Sequence, residues 1–230
     1  MPISLSLHIC AYLDVLGGTD LFKCVDIEAS ERFVSMLSEL ERRLNGMRRD
    51  GTPVVRAFTD NVFVAYPLRT AGKFSIEQQV GYFLTEIANQ VEQIFIHCEL
   101  PMRGAITVGN LHIDDQTVIG EAMVRAVELE KKANFPRVLL DDDVVRMLPT
   151  MPLAQETLVY EAADGARSLN YLGLRFWGFK FHRELIERRI GEVSKNPRAL
   201  EKYQWLLDYH GDIERRVSDL GLVHPRPDPA

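Results

Sequence analysis

An α+β fold built on one largely antiparallel sheet is what this 230-residue chain predicts. Three observations lead there. Apolar β-type runs alternate with long amphipathic helices in the order β-α-ββ-α-β-β-α, there is no internal repeat or low-complexity tract, and the length suits one domain with elaborations or at most two small ones. A hydrophobic fraction of 46% supplies a core, and a charged fraction of 26% is ordinary for a globular chain.

Each element has its own signal. Residues 3–16 (ISLSLHICAYLDVL) alternate and then run apolar up to Gly17-Gly18, which predicts a buried strand. Residues 29–48 carry Phe33, Met36, Leu37, Leu40 and Leu44 at helical spacing. PVVRAFT and VFVAYP follow as two short strands, with Asp60-Asn61 between them as the hairpin tip, because Asn tolerates positive φ and Asp bonds its own backbone. Residues 75–98 predict a second long helix, with Ile76, Val80, Phe83, Leu84, Ile87, Val91 and Ile94 turned inward. MRGAITVGN and TVI read as strands, 121–133 as a helix, RVLLD and LVYE as further strands, and Asp141-Asp142-Asp143 as an acidic helix start.

After Gly178 the chain becomes helical. FKFHRELIERRIGEV is followed by a helix with Leu200, Tyr203, Leu207, Ile213, Val217 and Leu220 near one face. Phe176, Trp177, Phe179 and Phe181 read as core for these helices. The expected boundaries are a catalytic core over 1–177, a helical extension over 178–223 and a frayed Pro-rich tail over 224–230.

Composition removes several functions. A net charge of −6 disfavours nucleic-acid or anionic-membrane partners, which call for a basic surface. Cys10, Cys24 and Cys98 form no CxxC pair and predict free thiols in a reducing compartment. No signal peptide and no apolar stretch long enough to span a bilayer is evident, so a cytoplasmic location is expected. No HxxxH, HExxH, P-loop or GxGxxG motif occurs.

Two carboxylates stand out. Asp14 lies near the end of a buried strand, where it needs a cationic partner or caps the next turn. The following Gly17, Gly18 and Thr19 open toward a helix start, whose N–H groups suit phosphate oxygens. Asp60 sits on a hairpin, as a turn residue or as a ligand. Taken together, paired Asp oxygens suit Mg²⁺ or Mn²⁺ better than zinc. Two such ions can activate an attacking hydroxyl and neutralise a polyphosphate leaving group.

With Asp14-Val15-Leu16-Gly17-Gly18-Thr19, Phe58-Thr59-Asp60-Asn61, Arg103-Gly104-Ala105-Ile106 with Gly109, and Gly120 with Ala126 in this order and spacing, residues 6–140 resemble the class III nucleotidyl cyclases. Within that family the chain is most similar to the bacterial pyrimidine cyclases of the Pycsar anti-phage system, short enzymes with a helical C-terminal extension. The resemblance implies a ferredoxin-like βααββαβ core and a head-to-tail homodimer with two composite sites. It implies conversion of UTP or CTP to the 3′,5′-cyclic monophosphate plus pyrophosphate, and a product sensed by a separate effector. It also implies two divalent ions, Mn²⁺ or Mg²⁺, held by Asp14, Asp60 and the Val15 carbonyl.

Arg56 and Thr117 match the two base-reading positions. As an ordinary chain would use them, Arg56 is an exposed strand arginine and Thr117 a β-branched strand residue. Arginine is donor-only and suits the O2 and O4 acceptors of uracil, which favours UTP; GTP, with its O6 acceptor, stays open. The chain departs from the family on the helix after Gly120, where a transition-state Asn and Arg are replaced by Val124 and Glu128. Arg125 is the neighbouring candidate for catalysis; read blandly, it pairs with Glu121 on the helix surface. These departures leave two alternatives, a degenerate cyclase fold that binds nucleotide as a sensor, and a purine cyclase.

Overall fold

The computed structural model describes residues 3–46, 52–71, 73–148, 157–173 and 179–219, with the backbone alone of Thr19 and Asp20. The chain divides into two compact units, residues 1–171 and 172–230. The expected boundary at 177/178 and the tail at 224–230 lie outside the described residues.

The first unit runs β1 (Ser6–Val15), α1 (Thr19–Phe22), α2 (Ile27–Asn45), β2 (Val54–Phe58), β3 (Asn61–Pro67), α3 (Ile76–Cys98), β4 (Met102–Ile113), β5 (Val118–Ile119), α4 (Glu121–Glu130), β6 (Val138–Leu140), α5 (Asp142–Arg146), β7 (Val159–Glu161) and β8 (Arg167–Leu169). The sheet order is β2-β3-β1-β4-β6-β8-β7, with β5 hairpinned onto β4. β1 pairs antiparallel with both β3 and β4, and β6 joins β4 in parallel after the α4 crossover. The stretch from β1 to β4 is thus the ferredoxin-like βααββαβ arrangement. β8 was not expected; it is three residues long and shows no apolar alternation.

Local chemistry sets the helix starts. Asp26 caps α2 by accepting from the Ala29 N–H, and Ser75 with Gln78 forms a reciprocal capping box on α3. The β2–β3 tip lies one residue earlier than expected. Phe58 pairs with Asn61, so Thr59-Asp60 make the turn, with Thr59 at φ 53°.

Strand alternation divides the sheet into two faces. Cys10, Phe63 and Ala65 pack under Ala122 and Ala126 of α4, and Tyr12 joins them. The alternate residues Ile9, Ala11, Leu13, Val62, Val64 and Tyr66 are as fully buried on the other face. Asp14, Asn61 and Arg103 are cross-strand neighbours and share the α4 face.

Close α4 docking depends on Gly120. Its φ is +143°, and a Cβ there would lie 2.2 Å from the Asn110 carbonyl oxygen. Gly120→Ala is therefore expected to cost about 3 kcal/mol, from backbone strain plus overlap. A loss of about 10 °C in Tm should follow, measured by circular dichroism.

The second unit holds α6 (Phe179–Val193) and α7 (Pro197–Asp219). α7 buries Tyr203, Leu206, Tyr209, His210, Ile213 and Val217, so its inner face takes in Leu206, Tyr209 and His210 rather than Leu207. Phe179 meets His210 edge-on at 5.3 Å, whereas Phe181 is 54% exposed and is not core. Phe176 and Trp177 lie outside the described residues.

Candidate active site

β1 and the β2–β3 hairpin bring Asp14 and Asp60 together. Asp14 is directly opposite Asn61, and the Val15 N–H donates to the Asp60 carbonyl at 2.8 Å. The Asp60 side chain is exposed; its Oδ1 accepts from Thr59 Oγ1 at 2.8 Å and Asn61 Nδ2 at 3.0 Å. The Tyr12 phenol is pushed up by burial and then by the charges of Glu130, Asp14 and Asp60.

The cation that a half-buried Asp14 requires is Arg103, its cross-strand partner on β4. Arg103 Nε lies 2.7 Å from Asp14 Oδ2 and 2.9 Å from Glu130 Oε1. Burial pushes the Glu130 carboxyl up, against the pull of Arg103. Neither Arg103 nor Glu130 was singled out as functional from the sequence. The odd-numbered polar residue beside Gly104 was visible, but the register that sets it against Asp14 is not a local property.

Arg56 and Thr117 both bond to Asp114. The Arg56 guanidinium donates to the Asp114 carbonyl, and Asp114 forms a tight turn with Thr117. In that turn the Thr117 N–H donates to Asp114 Oδ1 at 2.7 Å, and the Asp114 N–H donates to the Thr117 carbonyl at 3.0 Å. The Gln116 N–H, at 2.9 Å from the same Oδ1, and then the Thr117 N–H hold the Asp114 carboxyl below the usual range, with a smaller contribution from His112.

Arg125 is engaged elsewhere. It donates to Asp141 Oδ2 at 2.6 Å, Asp143 Oδ2 at 2.9 Å and the Val108 carbonyl at 3.2 Å. Val108 is five residues from Arg103, about 17 Å along β4. The surface pair expected with Glu121 is not made, since Glu121 instead accepts from the Asn110 N–H at 3.2 Å. Asp141 caps α5, as the acidic run suggested. Val124 and Glu128 are both exposed.

Gly17, at φ +76°, turns the chain from β1 toward α1, which is a single turn of four residues. The Phe22 N–H donates to the Gly18 carbonyl at 2.9 Å. The Thr19 side chain lies outside the described residues.

The donor set fits a hard divalent cation shared with a phosphorylated ligand. Two carboxylates, Asp14 and Glu130, face the one Arg103 guanidinium, an imbalance that attracts positive charge. Among the described residues no group of three or more His, Cys, Asp or Glu converges to cage an ion. Asp14 and Asp60 would therefore leave positions for ligand oxygens and water, as Mg²⁺ sites usually do. The three cysteines are free, and burial pushes the Cys10 thiol up to about 11, which makes it a poor ligand. No described helix is long and apolar enough to cross a membrane.

No protein-family model matches this chain, and no curated protein does. Solved structures do. The adenylyl cyclase CyaB from P. aeruginosa is 12% identical, aligns over 73% of this chain and 94% of its own, and gives a TM-score of 0.50. The guanylyl cyclase Cya2 is 9% identical over 74% of this chain and 93% of its own, TM-score 0.46. A class III adenylyl cyclase-like ATP-binding protein from Pseudomonas aeruginosa is 12% identical over 74% of this chain and 39% of its own, TM-score 0.48. At such identities the likeness speaks to architecture, and the chain has the α+β fold of the class III nucleotidyl cyclases.

Proposed function

We propose that this chain is a pyrimidine nucleotidyl cyclase that converts UTP, and CTP less well, to the 3′,5′-cyclic monophosphate and pyrophosphate. The observation that supports the reading is the 2.8 Å bond from the Val15 N–H to the Asp60 carbonyl, which ties the backbone beside Asp14 to the turn that carries Asp60. In the reaction the 3′-oxygen forms a bond to the α-phosphorus, the bond to the β-phosphate oxygen breaks, and the hydroxyl proton passes to solvent. Divalent ions, Mn²⁺ or Mg²⁺, supply Lewis acidity and charge neutralisation when bound.

The chain's own residues do the rest. Asp14 and Asp60 hold the ions with the Val15 carbonyl, and Gly17, Gly18 and Thr19 border the phosphates. Arg103 turns from Asp14 toward the departing pyrophosphate, while Glu130 keeps its guanidinium close. Arg56 spends one N–H on the Asp114 carbonyl, and its remaining donors meet the uracil acceptors beside Thr117. A head-to-tail homodimer unites these half-sites, and Arg125, held in this chain by Asp141 and Asp143, is its candidate catalytic cation. The product is a second messenger for a separate effector in anti-phage defence.

A sensor without turnover is the second reading, favoured by the exposed Val124 and Glu128. One experiment separates them. The protein is incubated with each of the four NTPs and Mn²⁺, and the products are resolved by chromatography. Cyclic UMP should dominate, and Arg56→Ala should lower the preference for UTP over CTP by about tenfold, the value of one good hydrogen bond to a base edge. No cyclic product from any NTP would leave the sensor reading standing. A cyclic purine as the main product would overturn the base assignment.

A further inference from the structure

The residues that join β4 to β5 close their turn in an unusual way. Ile113 pairs with Val118 across the two strands, which leaves Asp114-Asp115-Gln116-Thr117 as the turn. In such a turn the last N–H ordinarily donates to the first carbonyl. Here the Asp114 N–H reaches the Thr117 carbonyl at 3.0 Å, but the Thr117 N–H goes to the Asp114 carboxylate, 2.7 Å from Oδ1. The Gln116 N–H shares that oxygen at 2.9 Å. An aspartate that bonds the backbone just ahead of it takes the place of the turn bond.

The consequence falls on the Asp114 carbonyl, which accepts from the Arg56 guanidinium. Arg56 needs such an anchor. It stands on β2 opposite Phe63, and β3 and β1 lie between β2 and β4 in the sheet. No strand pairing therefore fixes Arg56 relative to Thr117. A long side chain gives up its rotamer freedom only against a specific acceptor. The second oxygen of Asp114 is supported too. Oδ2 lies 3.3 Å from His112 Nε2, and His112 Nδ1 lies 3.2 Å from the Ser4 backbone.

We propose that Asp114 is a positioning residue for base selection: its carboxylate takes the Thr117 N–H and so leaves its own carbonyl to fix Arg56 beside Thr117. The inference rests on the reading of Arg56 and Thr117 as base contacts, and Asp114 itself touches no nucleotide. What the turn uses is an acceptor oxygen on Cγ, which asparagine also carries. Alanine lacks it. In Asp114→Ala the Thr117 N–H returns to the carbonyl of residue 114, turning it back into the hairpin and away from Arg56.

Preference for UTP over CTP is measured by initial rates with Mn²⁺ and by equilibrium binding, so that a chain that binds without turnover is read equally. Asp114→Ala should lower the preference about tenfold, as Arg56→Ala does, by raising KM for UTP more than it lowers kcat. Asp114→Asn should keep the preference of the unaltered protein. In an Arg56→Ala background Asp114→Ala should add nothing, because both act through one guanidinium. Circular dichroism establishes that the variants fold. If Arg56→Ala lowers the preference and Asp114→Ala does not, the inference is overturned while the base assignment stands. A loss in Asp114→Asn as large as in Asp114→Ala, or a further loss in the double variant, overturns it as well. If Arg56→Ala leaves the preference unchanged, the base assignment itself has failed and the inference falls with it.

Discussion

Asp60→Ala is expected to lower cyclic-nucleotide formation on the order of 10³-fold, about 4 kcal/mol of transition-state stabilisation, while leaving the protein folded. The asymmetry follows from how Asp60 is held. Its backbone carbonyl, which alanine retains, accepts the Val15 N–H, whereas its side chain is exposed and accepts only from its neighbours Thr59 and Asn61. Such a surface change costs within about 0.5 kcal/mol of stability. For catalysis the loss is large, because Asp14, already engaged with Glu130 by Arg103, would have no Asp60 carboxylate to share the ions near the triphosphate. Asp60→Asn isolates the cause. Its amide oxygen can still accept from Thr59 and Asn61, so only the charge is lost, and activity should fall as far as in Asp60→Ala. Initial rates with UTP and Mn²⁺, set beside melting curves, provide the measurement. Rates within tenfold of the unaltered protein would remove both carboxylates from the proposed chemistry.

Much of the fold was legible because its main elements carry strong local signals. The alternation of 3–16 and the apolar stripes of α2 and α3 are each readable within a few turns of chain. The β2–β3 tip was misplaced by one residue because Asn61 is the usual occupant of positive φ, while the structure puts Thr59 there. β8 was missed because RSL, paired on both sides, holds its place through tertiary contacts that three residues cannot advertise. The site was readable where it consists of sequence neighbours, as at Asp14–Gly18, and opaque where it depends on register. Arg103 reaches Asp14 across 89 positions, and no periodicity announces that. Arg125 shows the same limit from the other side. An i,i+4 partner at Glu121 offered a few tenths of a kcal/mol, whereas Asp141 and Asp143, anchored at the start of α5, offer two charge-assisted bonds to one guanidinium.

The two histidines of the C-terminal helices escaped periodicity because they are not apolar, and they set the other large effect. His182 and His210 are fully buried, their rings stack at 5.2 Å and 10°, and their Nδ1 atoms are 3.1 Å apart. Burial, then the neighbouring His210, brings the His182 pKa down to about 3 from an ordinary 6.5. His210 is lowered by burial and by Arg183, with Glu214 opposing. Because the folded value lies below the unfolded one, the unfolded chain takes up protons first as pH falls. Stability is therefore full above about 6.5 and declines from there toward 3. Between pH 7 and 4.5 His182 alone should remove on the order of 2–3 kcal/mol, and His210 acts in the same direction. Both tryptophans, Trp177 and Trp205, belong to the second unit, so urea unfolding followed by tryptophan fluorescence reports on it. His182→Phe keeps an aromatic ring at the stack and removes one titrating group, so its urea midpoint should fall less steeply across this range. The carboxylates of the second unit titrate in both proteins alike, and the difference between the two slopes belongs to the imidazole. Identical slopes would mean that His182 is protonated, or solvated, in the folded protein.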